Sequence, residues 1–227
     1  MYRHIYLFRH GQTHFNRAKR FTGWLDSDWT PAGKRNARIV AQQLKEKRID
    51  VAFCTRLKRS RRTLKEVLRY HPECHTVFVD DRLIERCYGA LQGQSHAAFI
   101  TKFGKALFDK YHRAYDIPPP NGESIEMVEG RVKSFIKDLL TFVRTYKVNV
   151  AISAHGNSMR PFRRHFERAS IREMMRWEIP YDDHFEYVVN VPSGKQSKPG
   201  KTSWNAVSLP PGVTLATDRR NALKKYY

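Results

Sequence analysis

The chain has 227 residues, of which 41% are hydrophobic, and its 42 Lys and Arg against 22 Asp and Glu give a formal net charge of +20. This length is enough for one large α/β domain with an ordinary buried core. Apolar runs all fall short of the roughly 18–20 residues of a membrane-spanning helix, so we expect no membrane span. The first residues lead directly into a predicted strand, so we expect no signal peptide and a cytoplasmic location.

The excess of positive charge fits an anionic substrate and also predicts non-specific attraction to polyanions such as nucleic acid. The favoured explanation is a generally basic proteome or solvated helix faces, because the basic residues are spread along the chain without a known nucleic-acid motif. Cys54, Cys74 and Cys87 lack metal-ligand spacing and are predicted to be reduced thiols.

Strand and helix patterns alternate from the start of the chain. A helix is predicted from Thr30 as N-cap, through Pro31 in the first turn, to about Lys47. The other elements predicted in this part are a strand over 3–8, a strand over 50–54, a helix with a very basic face over 57–68 and a strand over 76–79.

The second half begins with residues 84–124, which are predicted to form an inserted helical lid, here called the lid segment. One helix is predicted within it over 96–114, before a break at the prolines 118–120. After it come an amphipathic helix over 124–146, a strand over 148–154 and a strand near 185–191. Residues 1–191 are therefore predicted to be a single domain, followed by a basic, flexible C-terminal tail over 192–227.

This alternation predicts a three-layer α/β/α fold with a mostly parallel central sheet and helices on both faces. His10 and His155 each follow a short apolar run and precede a glycine. Ligands of such folds bind beyond the carboxyl ends of the strands, so the two histidines are predicted to face one pocket. Arg9 and Arg59 also lie near predicted strand ends. Imidazoles among guanidiniums suit phosphoryl transfer, because one histidine attacks phosphorus while the cations hold its oxygens.

Several motifs occur in one order between residue 3 and about residue 180. They are Arg9-His10-Gly11, Asn16, Arg20-Phe21-Thr22-Gly23-Trp24-Leu25-Asp26, Leu57-Lys58-Arg59, Glu85-Arg86-Cys87-Tyr88-Gly89-Ala90-Leu91-Gln92-Gly93, Gly122-Glu123-Ser124 and Ala154-His155-Gly156-Asn157-Ser158. In composition and order these motifs resemble the histidine phosphatase superfamily, and within it the phosphoglycerate mutase branch. The resemblance also implies a phosphoglycerate mutase-like fold.

The resemblance implies a role for each catalytic candidate. His10 would form a phosphohistidine, and a protonated His155 would donate to an oxygen of the transferring group. Arg9 and Arg59 would clamp the same oxygens. Glu85 would act as general acid and then as general base.

The resemblance also implies a set of substrate-binding residues. Asn16 would donate to the phosphate, Lys102 would lie near the substrate carboxylate, and Arg113 would be the second arginine of a pair whose first position holds His112. The remaining members of the set are Thr22, Gly23, Tyr88, Gly156 and Asn157, the last two at a helix start where backbone N–H groups meet an anion.

The chain also departs from the mutase pattern. The segment between Pro120 and Gly122 lacks an insertion found in the best-known mutases, Ile179-Pro180-Tyr181 replaces their usual Ile-Pro-Thr-Gly, and Cys87 stands where they carry His. These departures put water exclusion in doubt.

The favoured prediction is a phosphoglycerate mutase of glycolysis that interconverts 3-phosphoglycerate and 2-phosphoglycerate. The resemblance implies priming by 2,3-bisphosphoglycerate, no metal and a homo-oligomer. The alternative is a histidine phosphatase that hydrolyses small phosphomonoesters through the same phosphohistidine. A third possibility, a binding protein that has kept the fold but lost activity, is disfavoured by the complete catalytic set.

Overall fold

A six-stranded sheet forms the centre of the computed structural model, which describes residues 1–191 and 213–216. The strands are β1 (Tyr2–Arg9), β2 (Val51–Cys54), β3 (Thr76–Asp80), β4 (Val150–Ala154), β5 (His184–Asn190) and β6 (Val213–Ala216). Their order is β5-β1-β4-β2-β3-β6. The four inner strands are parallel, and the two edge strands β5 and β6 run antiparallel to their neighbours.

Eight α-helices are described between these strands. They are α1 (His14–Arg17), α2 (Pro31–Leu44), α3 (Lys58–Val67), α4 (His96–Phe103), α5 (Lys105–Arg113), α6 (Ile125–Tyr146), α7 (Gly156–Glu167) and α8 (Ile171–Arg176). Short 3-10 turns occur at Leu68–Tyr70, Asp81–Leu83 and Gly89–Leu91. None of the helices in the described ranges is long and apolar enough to cross a bilayer.

Alternating side chains of β1 build the two cores of the molecule. Ile5 and Leu7 belong to a buried cluster with residues of α6 and α7, whereas Tyr6 and Phe8 belong to a second cluster with residues of α2 and α3. Successive side chains of a strand point to opposite faces, so each face is covered by its own pair of helices. The predicted three-layer α/β/α fold with a mostly parallel sheet is therefore confirmed.

Local capping explains why the helices begin where the sequence predicts. The Thr30 hydroxyl accepts a hydrogen bond from the backbone N–H of Gly33 at 3.0 Å, with Pro31 at the first helical position. Ser124 caps α6 in the same way, accepting from the backbone N–H of Met127 at 3.1 Å. These caps set the starts of the two helices that cover opposite faces of the sheet.

The lid segment differs from the prediction, because the single helix expected over 96–114 is two helices, α4 and α5. They meet at Gly104, whose φ of +84° favours glycine. Phe99 and Phe108 lie nine positions apart, about two and a half turns, so one straight helix would point them in opposite directions. The break lets both rings pack on Phe21, each with its centroid 5.8 Å from that of Phe21.

The tail predicted over 192–227 lies outside the described residues except for β6. Val213–Ala216 pairs antiparallel with β3, with Asp80 opposite Val213. This strand adds an edge to the sheet beside β3.

Candidate functional site

The two histidines that begin the site follow neighbouring parallel strands. Arg9 of β1 is paired with Ala154 of β4, so the next residue on each strand is a histidine at the same edge of the sheet. The ring centroids of His10 and His155 are 5.0 Å apart, and the two residues are 1% and 0% exposed. The sheet register therefore brings both imidazoles to one buried point, as the sequence predicts.

His10 is held in a form suited to nucleophilic attack. Its Nδ1 lies 2.9 Å from the carbonyl oxygen of Gly11, and Arg59 Nε donates to its Nε2 at 3.2 Å. Because a guanidinium can only donate, Nε2 is unprotonated and the ring hydrogen is on Nδ1. Burial, and then the charges of Arg59 and Arg9, hold the pKa of His10 well below its usual range. At neutral pH the unprotonated ring nitrogen is therefore Nε2, whose lone pair accepts the hydrogen bond from Arg59.

The surroundings of His155 disfavour the protonated ring that the resemblance implies. Burial first, then the charges of Arg59 and His10, hold the pKa of His155 well below its usual range. Its Nε2 lies 2.8 Å from the hydroxyl oxygen of Thr55. Its Nδ1 is buried and makes no hydrogen bond of normal geometry among the described residues, and the backbone N–H of Ser158 is directed at the ring across the start of α7.

Arg59 is a rigid cation at the start of α3. It is 1% exposed, and its Nη1 and Nη2 donate to the carbonyl oxygens of Leu25 and Gly23, each at 2.7 Å. Burial lowers the pKa of Arg59 to about 10, which leaves it charged at neutral pH. The contact with His10 and these two carbonyls fix the guanidinium plane, so its charge is preorganised.

Arg9 provides the second cation of the site. Its Nη1 donates to the carbonyl oxygen of Ile179 at 2.8 Å, and its guanidinium carbon lies 3.8 Å from the ring centroid of Tyr181. A Cβ on Gly156 would come within 3.3 Å of that carbon, so glycine allows this close packing. Arg9 Nε is buried without a partner among the described residues and can donate to a ligand.

Glu85 lies against the start of α7 and is 6% exposed. Its Oε1 accepts from the backbone N–H of Arg86 at 2.8 Å and from that of Asn157 at 3.2 Å. Three atoms that could each bind a metal ion lie within 4.8 Å of one another here, one from each of Glu85, His10 and His155. The adjacent Arg59 and Arg9 guanidiniums make this point cationic, which suits an anion better than a metal ion.

A pocket of about 220 Å³ opens beside His10, whose ring centroid lies 6.2 Å from that of Tyr181 in the pocket wall. Its lining residues are Arg9, Asn16, Lys19, Arg20, Thr22, Gly23, Glu85, Tyr88, His96, His112, Gly156, Asn157, Arg160, Ile179 and Tyr181. Four of these are cations and one is a carboxylate, so the pocket suits a small anionic ligand. Most of the predicted substrate-binding residues lie here.

Asn16 and Tyr88 have defined partners in the pocket wall. The Asn16 side-chain oxygen accepts from both the backbone N–H and the hydroxyl of Thr13, at 3.0 and 2.9 Å, so its amide hydrogens point elsewhere. Asn157 Nδ2 donates to the Tyr88 hydroxyl at 3.4 Å. Both polar groups are thereby oriented in the wall without a ligand.

Lys102 and Arg113, which the resemblance implies as substrate ligands, do not line this pocket. Both are exposed on the lid segment; Lys102 Nζ lies 5.1 Å from its neighbour Phe103's ring centroid, and Arg113 lies 3.7 Å from Asp109 in a surface ion pair. The packing of α4 and α5 on Phe21 turns these cations outward.

His96 and His112 form the lid wall of the pocket instead, with ring centroids 5.0 Å apart. Burial first, then the charges of His96 and Arg113, lower the pKa of His112 to about 4. Burial and the charge of Lys19 also lower the pKa of His96. The lid wall is therefore neutral at physiological pH.

The family model for the histidine phosphatase superfamily (branch 1) matches residues 5–197. The chain belongs to this superfamily. A 2,3-bisphosphoglycerate-dependent phosphoglycerate mutase of Pseudoalteromonas atlantica is 31% identical over 199 residues, covering 76% of this chain and 88% of that protein. One of the same name from Mesorhizobium japonicum is 32% identical over 202 residues, covering 87% and 98%.

A solved mycobacterial glucosyl-3-phosphoglycerate phosphatase superposes with a TM-score of 0.71 at 22% identity, covering 81% of this chain and 90% of that one. At this identity the likeness shows the fold alone. The chain is thus an enzyme of the histidine phosphatase superfamily with relatives named as mutases and a structural neighbour named as a phosphatase.

Sequence reasoning missed several residues of this histidine phosphatase site. Arg160 lines the pocket, with its Nε and Nη2 donating to the Trp177 carbonyl oxygen at 3.1 and 2.9 Å and its Nη1 donating to Asn157 at 3.1 Å. Its position one helical turn after Asn157 on α7 was a usable signal. Thr55 could have been found because it directly follows β2, as His155 directly follows β4.

The loop that carries Glu85 is fixed by a second missed group. Arg131 forms a two-pronged ion pair with Glu123, at 2.9 and 3.0 Å, and donates to the carbonyl oxygens of Arg82 and Glu85 at 2.8 and 3.2 Å. The Glu123 carboxylate also accepts from the backbone N–H of Cys87 at 2.8 Å. Sequence spacing alone does not show that this ion pair makes hydrogen bonds to the backbone of residues 82–87.

Proposed function

We propose that the enzyme interconverts 3-phosphoglycerate and 2-phosphoglycerate through a phosphohistidine on His10. The observation that carries the proposal is the state of His10, a buried neutral imidazole whose unprotonated Nε2 faces Arg59 beside a second imidazole. Four cations and one carboxylate line the adjacent pocket, which fits a small substrate bearing a phosphate and a carboxylate.

In the first half-reaction, the lone pair of His10 Nε2 attacks phosphorus and forms an N–P bond while the P–O bond to the leaving group breaks. Arg9, Arg59 and His155 stabilise the phosphoryl oxygens as charge develops. Protonated Glu85 gives its hydrogen to the leaving oxygen, which departs as a hydroxyl.

The second half-reaction reverses these steps at a different hydroxyl. Glu85, now ionised, takes the proton from the acceptor hydroxyl as its oxygen attacks phosphorus. The N–P bond breaks, and its electron pair returns to His10 Nε2. In the primed enzyme the acceptor is the 2-hydroxyl of 3-phosphoglycerate, and its attack gives 2,3-bisphosphoglycerate. Transfer of the 3-phosphoryl group of that molecule to His10, by the first half-reaction, leaves 2-phosphoglycerate and restores the phosphohistidine. Attack by water instead gives inorganic phosphate.

The pocket fits 2,3-bisphosphoglycerate as the primer, because buried Arg9 Nε and His155 Nδ1 lack partners among the described residues. When bound, this molecule supplies the phosphoryl group that first loads His10. Lys19, Arg20 and Arg160 would hold its carboxylate and second phosphate, since these are the remaining cations in the lining.

The proposed setting of this reaction is glycolysis in the cytoplasm, in a homo-oligomer. This follows from the mutase activity and from the expectations drawn from the sequence. Binding of polyanions by the basic surface remains a separate prediction.

Hydrolysis of small phosphomonoesters is the second candidate, and the lid wall favours it. His96 and His112 are neutral, and Lys102 and Arg113 point outward, so the described lid residues place no cation on this wall. A substrate with a less anionic leaving group would fit such a wall.

The deciding experiment is a product assay with 3-phosphoglycerate, with and without catalytic 2,3-bisphosphoglycerate. The assay follows 2-phosphoglycerate and free phosphate separately. We expect primer-stimulated 2-phosphoglycerate with little phosphate release. Phosphate release without isomerisation would overturn the mutase assignment and establish the phosphatase.

A further inference from the structure

Thr55 and His155 are a buried pair that the catalytic steps above leave unexplained. Val51, Ala52 and Phe53 of β2 are paired with Val150, Ala151 and Ile152 of β4, so the two strands end side by side. The Thr55 hydroxyl oxygen and His155 Nε2 are 2.8 Å apart, and both residues are 0% exposed. Solvent therefore takes no part in this hydrogen bond.

The direction of the bond follows from the hydrogens that Thr55 can offer. A hydroxyl donates once and accepts at two lone pairs. The backbone N–H of Leu57 already donates to the Thr55 oxygen at 3.4 Å. Within the described residues, His155 Nε2 is the acceptor within reach of the Thr55 hydrogen. The opposite direction would leave a buried hydroxyl hydrogen without an acceptor, which is unfavourable.

We propose that Thr55 is a positioning residue that fixes the neutral tautomer of His155 with its hydrogen on Nδ1, so that an uncharged ring donates to the phosphoryl oxygen. The inference rests on the proposed phosphoryl transfer at His10. Burial keeps the His155 ring neutral, yet its role requires it to donate a hydrogen bond to the phosphoryl group. A neutral ring with its hydrogen on Nδ1 can donate without being protonated first.

Two serines hold this pair in place. The backbone N–H of Thr55 donates to the Ser60 hydroxyl at 3.1 Å, and that hydroxyl donates to the Ser153 carbonyl oxygen at 2.7 Å. The Ser153 hydroxyl in turn donates to the Ser60 carbonyl oxygen at 2.9 Å. These reciprocal bonds join the start of α3 to the end of β4, so Thr55 and His155 are held together before a ligand binds.

The test compares Thr55→Val, which removes the hydroxyl at similar volume, with Thr55→Ser, which keeps it. Thr141→Val is the matched control, because Thr141 is on α6 and its hydroxyl bonds only the Lys137 carbonyl oxygen at the surface. Two readouts are made on the full chain. The first is the single-turnover rate of His10 phosphorylation by 2,3-bisphosphoglycerate. The second is the ¹⁵N shifts of the His155 ring, assigned by their loss in His155→Asn.

In the wild type we expect an N–H-type shift at Nδ1 and a lone-pair-type shift at Nε2. Thr55→Val should lose this single tautomer and slow phosphorylation about 10- to 100-fold, somewhat less than deleting a transition-state donor outright. Thr55→Ser should keep the tautomer and a rate within about 3-fold, and Thr141→Val should match the wild type. Thermal melts show whether the Thr55→Val protein is folded. If it is not, the ¹⁵N shifts of the His155 ring in the wild type and in Thr55→Ser decide whether Thr55 sets the tautomer.

A hydrogen on Nε2 in the wild type, or a folded Thr55→Val protein with unchanged shifts and rate, would overturn the assignment to Thr55. Failure of the proposed function looks different, since the wild type would then form no phosphohistidine. The ring shifts would still report in that case whether Thr55 sets the tautomer.

Discussion

Replacing Glu123 with Gln tests how the protein holds the loop that carries Glu85. Glu123 and Arg131 are 15% and 18% exposed at their side chains, and two hydrogen bonds of 2.9 and 3.0 Å join them. Removing one charge of a buried pair costs about 3–5 kcal/mol. Gln keeps one acceptor, worth about 1–1.5 kcal/mol. We therefore expect Glu123→Gln to lower the free energy of unfolding by about 2–3.5 kcal/mol.

The same change should slow catalysis, because Arg131 also bonds the Glu85 carbonyl oxygen. Urea unfolding followed by circular dichroism measures the stability loss, and turnover of alkyl phosphate esters measures the displacement of Glu85. Glu46→Gln is the control, since the Glu46 side chain is 84% exposed and should change stability by less than about 0.5 kcal/mol. If the two variants unfold at the same urea concentration, the reasoning about this ion pair is refuted.

Three further predictions concern the pocket. Glu85→Gln should slow transfer from alkyl phosphates by about 10²–10⁴-fold but hardly affect activated aryl phosphates, and equal losses would argue against a general acid. Arg113→Ala should change KM for 3-phosphoglycerate by less than about 2-fold, whereas a loss of about tenfold, about 1.4 kcal/mol, would return Arg113 to the substrate site. The His10 ring should remain neutral at pH values well below its ordinary pKa of 6.5, because burial first, and then the charges of Arg59 and Arg9, disfavour the imidazolium. An NMR titration checks this, and protonation near 6.5 would contradict it.

The positions of His10 and His155 could be predicted from the sequence because they depend on local patterns. Each follows a short apolar strand, and parallel strands bring their carboxyl ends to one edge of a sheet. The same holds for α6, where Val128, Val132 and Phe135 repeat at helical spacing and are all buried. In these cases periodicity and the chain order determine the environment of the side chain.

The lid segment could not be predicted in the same way, because its geometry depends on distant contacts. Phe21 lies far from Phe99 and Phe108 in the sequence, yet packing on it decides where α4 ends and α5 begins. With the chain broken into two helices at Gly104, Lys102 and Arg113 are exposed to solvent and His112 lines the pocket. A motif match preserves the residue type but not the rotation of the helix that carries it.

The most direct test of the account is whether His10 carries the phosphoryl group. Wild-type enzyme and His10→Asn are mixed with 2,3-bisphosphoglycerate, quenched in alkali at short times and analysed by intact mass and peptide mapping. We predict one phosphoryl group on the wild type, acid-labile and located at His10, and none on His10→Asn. Turnover with no phosphorylated protein, or a phosphoryl group on another residue, would contradict the account.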